Sequence, residues 1–285
     1  MADIDAALPN PSPAIKAAVD REDVPVLDIG SVLAGLGGAL AQAAADVRYI
    51  QRHLGFYYIE NHGVDQTLID AGFAQLREFF DQPMGEKLKL RVNRHQIGYV
   101  PPHASVMKTA LTDVNKKPDT NEGLGFMRDR AADDPKVVAD VRFSGRNQWP
   151  DSLPGFRETF LAYPAAMERL GQSLLPIYAG AVGKPAEFFA PFFEDAHYYN
   201  RNSHYPATDA EEGQHSIGAH TDHNFMALLP MSDVPALEVE RPSGGWVEAP
   251  IVPGAIVVNT GEFLNRWSNG VFRAIPHRVI IPTRD

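Results

Sequence analysis

The chain has 285 residues, enough for one large domain or two small ones. Its 44% hydrophobic and 22% charged residues are those of an ordinary globular protein, and its net charge of −10 argues against a nucleic-acid or anionic-membrane surface. There is no cysteine, which excludes disulfides, thiolate metal sites and cysteine nucleophiles; any metal must be held by imidazole and carboxylate groups.

Residues 1–23 are acidic and proline-punctuated, and read as a loosely ordered leader rather than a secretory signal. No apolar run approaches the length of a bilayer span, so a cytoplasmic location is expected. "VPVLDIG" (24–30) predicts a short strand, and the alanine-rich 38–55 an amphipathic helix stopped by Gly55. "FYYIENHG" (56–63) predicts a strand closing on a turn, followed by helices over about 65–80 and 84–90. From Tyr99 to Trp149 the chain is rich in Gly, Pro, Asn and Asp, and reads as a long surface flap. A helical segment over about 154–182 contains Pro164 and Pro176, each expected to mark a kink or a boundary.

After Phe193 the pattern changes to short apolar runs separated by Pro, Gly and Asn. They include "AHYYNRNSHYP", "HTDHNFMALLPM", "ALEVE", "GWVEAP", "AIVVNTG" and "AIPHRVIIP". This spacing predicts an all-β sandwich or barrel following a helical first half.

The segment "HSIGAHTDHNF" (215–225) places three histidines and an aspartate within nine positions. On a strand, His220 and Asp222 would share one face, with Thr221 and His223 on the other. A histidine-rich polar surface strand is the competing reading. The pair needs a third ligand, and His277, fifty-five positions after Asp222 in a strand-like run, is the candidate. Two histidines and a carboxylate on one face of an octahedron leave three positions open for a bidentate cosubstrate and dioxygen.

From about residue 24 onward the chain resembles the isopenicillin N synthase-like branch of the 2-oxoglutarate/Fe(II) dioxygenases. The resemblance rests on "VPVLDIG", "LGFYYIENHGVD" (54–65), "FFDQPMGEKLKL" (79–90) and "GYVPP" (98–102), then on "NQWPDSLPGFRETFLAY" (147–163). "HYP" (204–206), "HTD" (220–222) and "SNGVFRAIPHRV" (268–279) follow in the family's order. It implies an α+β protein with a mainly β catalytic core, a double-stranded β-helix or jelly roll, flanked by N-terminal helices. The organisation implied is a leader over 1–23, a helical region over 24–193 and the metal-bearing core over 194–285.

The resemblance further implies that His220, Asp222 and His277 bind Fe(II), with 2-oxoglutarate as cosubstrate and dioxygen as oxidant. Tyr205 matches a tyrosine that contacts the cosubstrate carboxylate; a core tyrosine at a strand end is the alternative. Ser203 stands where relatives often carry asparagine. Phe225, Ala227 and Leu229 would alternate along the metal-bearing strand and line a substrate pocket, or else pack in the core. His215 and His223 read as non-ligands, Arg278 as facing away from the metal, and His62 as a structural hydrogen-bonding residue.

The family's Arg-x-Ser cosubstrate anchor lies nine or ten residues beyond the last ligand, at 286 or 287 here, whereas the sequence stops at Asp285. The expectation is therefore a longer polypeptide, with the core lacking its last strand over 194–285. Arg284 is too close to His277 to substitute. The implied function is oxidation of a small organic substrate, by hydroxylation, desaturation or ring closure, with decarboxylation of 2-oxoglutarate to succinate. An iron oxidase using no 2-oxoglutarate, a His2Asp zinc hydrolase and a catalytically silent metal- or ligand-binding barrel are the alternatives. The substrate is not readable from the sequence, and for oligomeric state a monomer is the default.

Overall fold

The structure is a computed structural model, and it describes residues 8–104, 117–209, 211 and 213–283. The first seven residues of the expected leader, residues 105–116 of the expected flap, and Arg284 lie outside the described residues. The chain runs α1 (Pro13–Asp20), β1 (Val26–Asp28), α2 (Gly30–Leu33), α3 (Ala39–His53), β2 (Phe56–Glu60), α4 (Gln66–Phe80) and α5 (Met84–Lys87). It continues with β3 (Gly98–Val100), β4 (Glu122–Met127), α6 (Pro135–Val138) and α7 (Phe156–Ala181). The last part holds β5 (Tyr199–His204), β6 (Ile217–His220), β7 (Met226–Pro230), β8 (Leu237–Glu240), β9 (Trp246–Glu248), β10 (Ile256–Thr260), α8 (Glu262–Trp267) and β11 (His277–Val279).

Three elements depart from the sequence reading. The segment before residue 24, expected to be loose, carries α1, whose Ile15 and Val19 are buried. It is tied down by the Ser12 amide, which donates to Asp46 Oδ1 at 2.5 Å. Burial of two such side chains offsets ordering of the segment by about 1.5–3 kcal/mol each. Within the expected flap, "EGLGFM" forms β4, buried along its whole length; its two glycines had masked the strand pattern. Finally, α7 runs unbroken through Pro164 and Pro176. Each proline removes a backbone donor, but the buried face from Phe156 to Ala181 holds the helix together.

Two four-stranded sheets, ordered β1-β2-β10-β7 and β6-β11-β8-β9, and a three-stranded sheet, β3-β4-β5, organise the chain. The first combines strands from both ends of the sequence. β10 pairs antiparallel with β2 on one side and with β7 on the other. A boundary near residue 193 therefore cuts across this sheet and also across β3-β4-β5.

Alternation along β2 and β10 sorts two cores. Tyr57, Ile59, Ile256 and Val258 pack with α3 and α7 residues such as Val47, Leu170 and Leu174. Phe56, Tyr58 and Val257 face the other way and join Leu237, Val239 and Ile275 from the second-sheet side. The metal-ligand candidates belong to this second, inner face.

The approach to it is set by Gly55. With φ +76° it caps the end of α3, and its amide bonds back to Ile50 O at 2.9 Å. A Cβ there would stand 2.6 Å from Ile275 Cγ1, so only glycine lets the turn press against the segment leading into β11.

Candidate metal centre

His220 ends β6 and His277 begins β11. The two are register partners, and Val239 of β8 completes the row on the other side of His277. Their rings are 4.3 Å apart between centroids. Asp222 is not on the strand: β6 ends at His220, so strand parity does not deliver the carboxylate. A turn does, held by the Asp222 carbonyl accepting the Glu262 amide at 2.7 Å.

The outcome is convergent. Asp222 Oδ1 lies 3.8 Å from the Nε2 atoms of both His220 and His277. One ligand atom from each residue falls within 4.8 Å of the others, the spread expected of a three-ligand metal site. The donor set is hard and borderline, as suits Fe(II), and contains no thiolate.

The neighbours of the triad fix which atoms are offered. His220 Nδ1 donates to Gly218 O at 2.9 Å, and His277 Nδ1 to Ile275 O at 3.2 Å, each carbonyl two residues back along the chain. Those bonds place the proton on Nδ1 and leave Nε2 as the free electron pair. Burial, and then the adjacent His277 ring, push His220 down to about 4, keeping its imidazole neutral. For Asp222 burial acts upward, but His277, the Asn259 amide, His220 and Arg201 together hold the carboxyl below its ordinary range. Asn259 Nδ2 donates to Asp222 Oδ2 at 2.8 Å, and Phe56 meets the His277 ring edge-on at 5.2 Å.

The remaining expected residues divide. Tyr205 follows β5 and packs with Ile217 and Val279. Burial raises its phenol, with Arg201 and Ser203 pulling the other way. Ala227 and Leu229 pair with Asn259 and Val257, which puts both on the inner face.

Phe225 does not alternate with them. It precedes β7 and packs on the helical side against Phe189, Phe193 and Tyr178, so it is a core residue rather than a pocket wall. His223 is exposed and outside the cluster. His215 is absent from the cluster too, and its carbonyl accepts the Thr120 amide. Arg278 pairs with Glu238 at 2.6 Å and lies over Trp246. His62 accepts the Val64 amide on Nδ1 and donates from Nε2 to Gly254 O at 2.9 Å, a structural role.

Asn259, Phe56 and Arg201 were not singled out from the sequence. Asn259 had a signal: it is the polar residue in the otherwise apolar run "AIVVN".

Sheets flanked by helices, with a His-Asp-His cluster on an inner face, define a non-haem metal protein. Comparison with known proteins makes that specific. Residues 24–152 match the family described as the non-haem dioxygenase in morphine synthesis N-terminal region, and residues 196–285 match the 2OG-Fe(II) oxygenase superfamily. A 2-oxoglutarate-Fe(II) type oxidoreductase of Emericella nidulans is 31% identical over 265 residues, 90% of this chain and 74% of that protein. The validamycin A dioxygenase of Streptomyces hygroscopicus subsp. limoneus is 30% identical over 276 residues, covering 91% and 72%. Among solved structures, a full-length Neurospora crassa protein in complex with alpha-KG and 5-formyluracil superposes with a TM-score of 0.78 at 26% identity, over 92% of this chain and 79% of that one.

The chain belongs to the 2-oxoglutarate/Fe(II)-dependent oxygenases. It is a non-haem iron oxygenase that uses Fe(II), 2-oxoglutarate and dioxygen. Among the described residues no helix is long and apolar enough to cross a membrane.

Proposed function

We propose that His220, Asp222 and His277 are the three protein ligands of Fe(II), and that the protein oxidises a small organic molecule. The observation that carries this is the single carboxylate oxygen of Asp222 equidistant from two Nε2 atoms whose opposite nitrogens are already committed to carbonyls. When bound, iron with 2-oxoglutarate supplies activation of dioxygen, coupling decarboxylation of the cosubstrate to oxidation of a substrate C–H bond.

The chain's own part is preorganisation. The Gly218 and Ile275 carbonyls lock the imidazole tautomers, Asn259 fixes the carboxylate rotamer, and Phe56 covers one side of His277 against water. Tyr205 would contact the cosubstrate carboxylate, a reading supported by its packing just past β5 against Ile217 and Val279, of the strands that carry His220 and His277. Ala227 and Leu229 line the substrate side.

We read the two four-stranded sheets around the inner core as a double-stranded β-helix. Residues 194–285 supply most of it and β2, from the N-terminal region, completes a sheet. The test is an anaerobic titration with Fe(II) and 2-oxoglutarate, followed by visible charge-transfer absorption, and then succinate release in air across a panel of small organic molecules. Absence of the absorption band in folded protein removes the reading. A band without succinate in any condition favours a silent metal-binding protein.

A further inference from the structure

Four large aromatic side chains gather in one patch at the surface. Phe188 and Phe192 lie between α7 and β5, and Phe263 and Trp267 lie on α8, each pair four residues apart. All four are between 40% and 60% exposed. Ring centroids are 6.1 Å apart for Phe188 and Phe192 and 4.5 Å for Phe263 and Trp267, and Phe192 meets Trp267 edge-on at 5.3 Å. The patch is therefore two short aromatic ridges in contact. It is also fixed from below, because Phe189 stacks on Trp267 at 6.0 Å and meets Phe225 at 5.1 Å.

Charges border the ridges. Lys184, Glu187 and Glu194 are exposed beside the first, and Glu262 and Arg266 lie on α8. None of the five makes an ion pair among the described residues. Lys184 is turned onto the Phe188 ring, 5.3 Å from its centroid, and Glu262 is half-buried. That leaves Glu187 and Glu194 beside one ridge and Arg266 on the other, each without an opposite charge.

We propose that this face joins two copies of the chain in an isologous dimer. A two-fold axis through the patch lays the Phe188–Phe192 ridge of each copy on α8 of the other. Arg266 of each copy then meets Glu187 and Glu194 of its mate, so the surface is its own complement. A chain of net charge −10 repels its like over most approaches, whereas this rim is close to neutral. A fully buried Phe or Trp covers about 150–250 Å², so the four rings at these exposures offer roughly 300–450 Å². A stable interface takes about 800 Å² from each partner, with an aromatic core and a polar rim. The rings supply about half of that area, and the charged borders the rest. A bilayer fits less well: apolar faces seated in membranes are flanked by Lys and Arg, and most of the charges here are acidic. The dimer replaces the monomer taken as the default from the sequence alone.

The test is sedimentation velocity of the whole chain from about 1 to 100 μM. Wild type is expected to dimerise within that range. Phe192→Asp should weaken association about thirtyfold or more, the loss of a central aromatic anchor. Its circular dichroism should stay that of wild type, because the side chain is exposed. The charges give a second reading. Arg266→Glu should dimerise about tenfold more weakly or worse, and so should Glu187→Lys combined with Glu194→Lys. An equimolar mixture of these two variants should dimerise again, because both crossings of the mixed pair then join opposite charges.

A wild type that stays monomeric across the range overturns the proposal. So does a dimer that Phe192→Asp leaves intact, or a pair of charge variants that fail to complement each other. Monomeric wild type that sediments with phosphatidylcholine vesicles, an association lost in Phe192→Asp, assigns the patch to a lipid surface and also overturns it.

Discussion

The side-chain amide of Asn259 occupies one oxygen of Asp222 at 2.8 Å and leaves the other facing two imidazoles, each 3.8 Å away. The carboxylate is thereby directed to present a single oxygen to the ligand cluster, without a charged residue being spent on the task. Asn259→Ala should leave the fold intact and weaken Fe(II) binding about ten- to a hundredfold, the usual cost of losing such a supporting partner. Asn259→Asp should be worse, since it sets a second carboxylate against the first. Fluorescence-monitored competition with Mn(II) measures both; unchanged metal affinity in Asn259→Ala would falsify the positioning role.

Removing His277 should be more severe. His277→Ala deletes one of three ligands and the ring that contacts both Phe56 and His220. Succinate formation should fall below detection while circular dichroism stays near that of wild type. His215→Ala, outside the cluster, should bind iron normally. Near-normal iron-dependent turnover in folded His277→Ala protein would count against the ligand set.

Beneath β5 lies a buried charge network. Lys87 Nζ donates to Glu122 at 2.8 Å and to Phe80 O at 2.8 Å, His204 Nδ1 lies 2.8 Å from Glu122 Oε1, and the Tyr99 hydroxyl donates to the same carboxylate. Lys87 and Glu122 are 6% and 4% exposed, so breaking the pair strands a charge. Glu122→Gln should destabilise the protein by roughly 3–5 kcal/mol, whereas Lys87→Met combined with Glu122→Leu should recover a large part of that loss. Urea denaturation of the two variants beside wild type distinguishes a buried charge penalty from simple loss of packing.

Asp195 predicts an acid-sensitive latch. Lys136, with Arg130 beside it, pulls the Asp195 carboxyl down to about 2, joining the 128–136 segment to the chain ahead of β5. A carboxyl lowered on folding stabilises the native state above its unfolded value of about 3.9, and that contribution is lost as pH falls through the native value. Wild type should therefore exceed Asp195→Asn in stability by roughly 0.5–1 kcal/mol near neutrality, because the pairs are half-exposed. The gap should close between about pH 4 and pH 2. Thermal melts at several pH values and at high salt, which should also narrow the gap, provide the check.

The two metal-binding histidine candidates were legible because ligand spacing and the order of motifs are local properties of the chain. Asp222 reaches the cluster by a route that strand parity does not describe. Parity assumed a strand through residue 222, whereas β6 stops at His220 and the Glu262 amide fixes the turn. Phe225 was misplaced for a related reason: alternation begins only at Met226, where β7 starts. β4 was hidden because glycines lower both hydrophobicity and strand propensity, and they are tolerated there through pairing on both edges.

The pairing of β2 with β10 has a consequence for how the chain is made. Val258 sits opposite Tyr57, so β2 leaves the ribosome about 200 residues before its partner exists. At the usual pace of synthesis, about 5–20 residues per second, that interval is roughly 10–40 seconds. β1 can cover one edge of β2 at once, but the other edge of this apolar "FYYI" strand stays bare throughout. A bare apolar edge is a template for association with other nascent chains. Slower translation or lower protein concentration should therefore change the yield of native oxygenase differently: the first prolongs the exposed interval, and the second thins out the partners available during it.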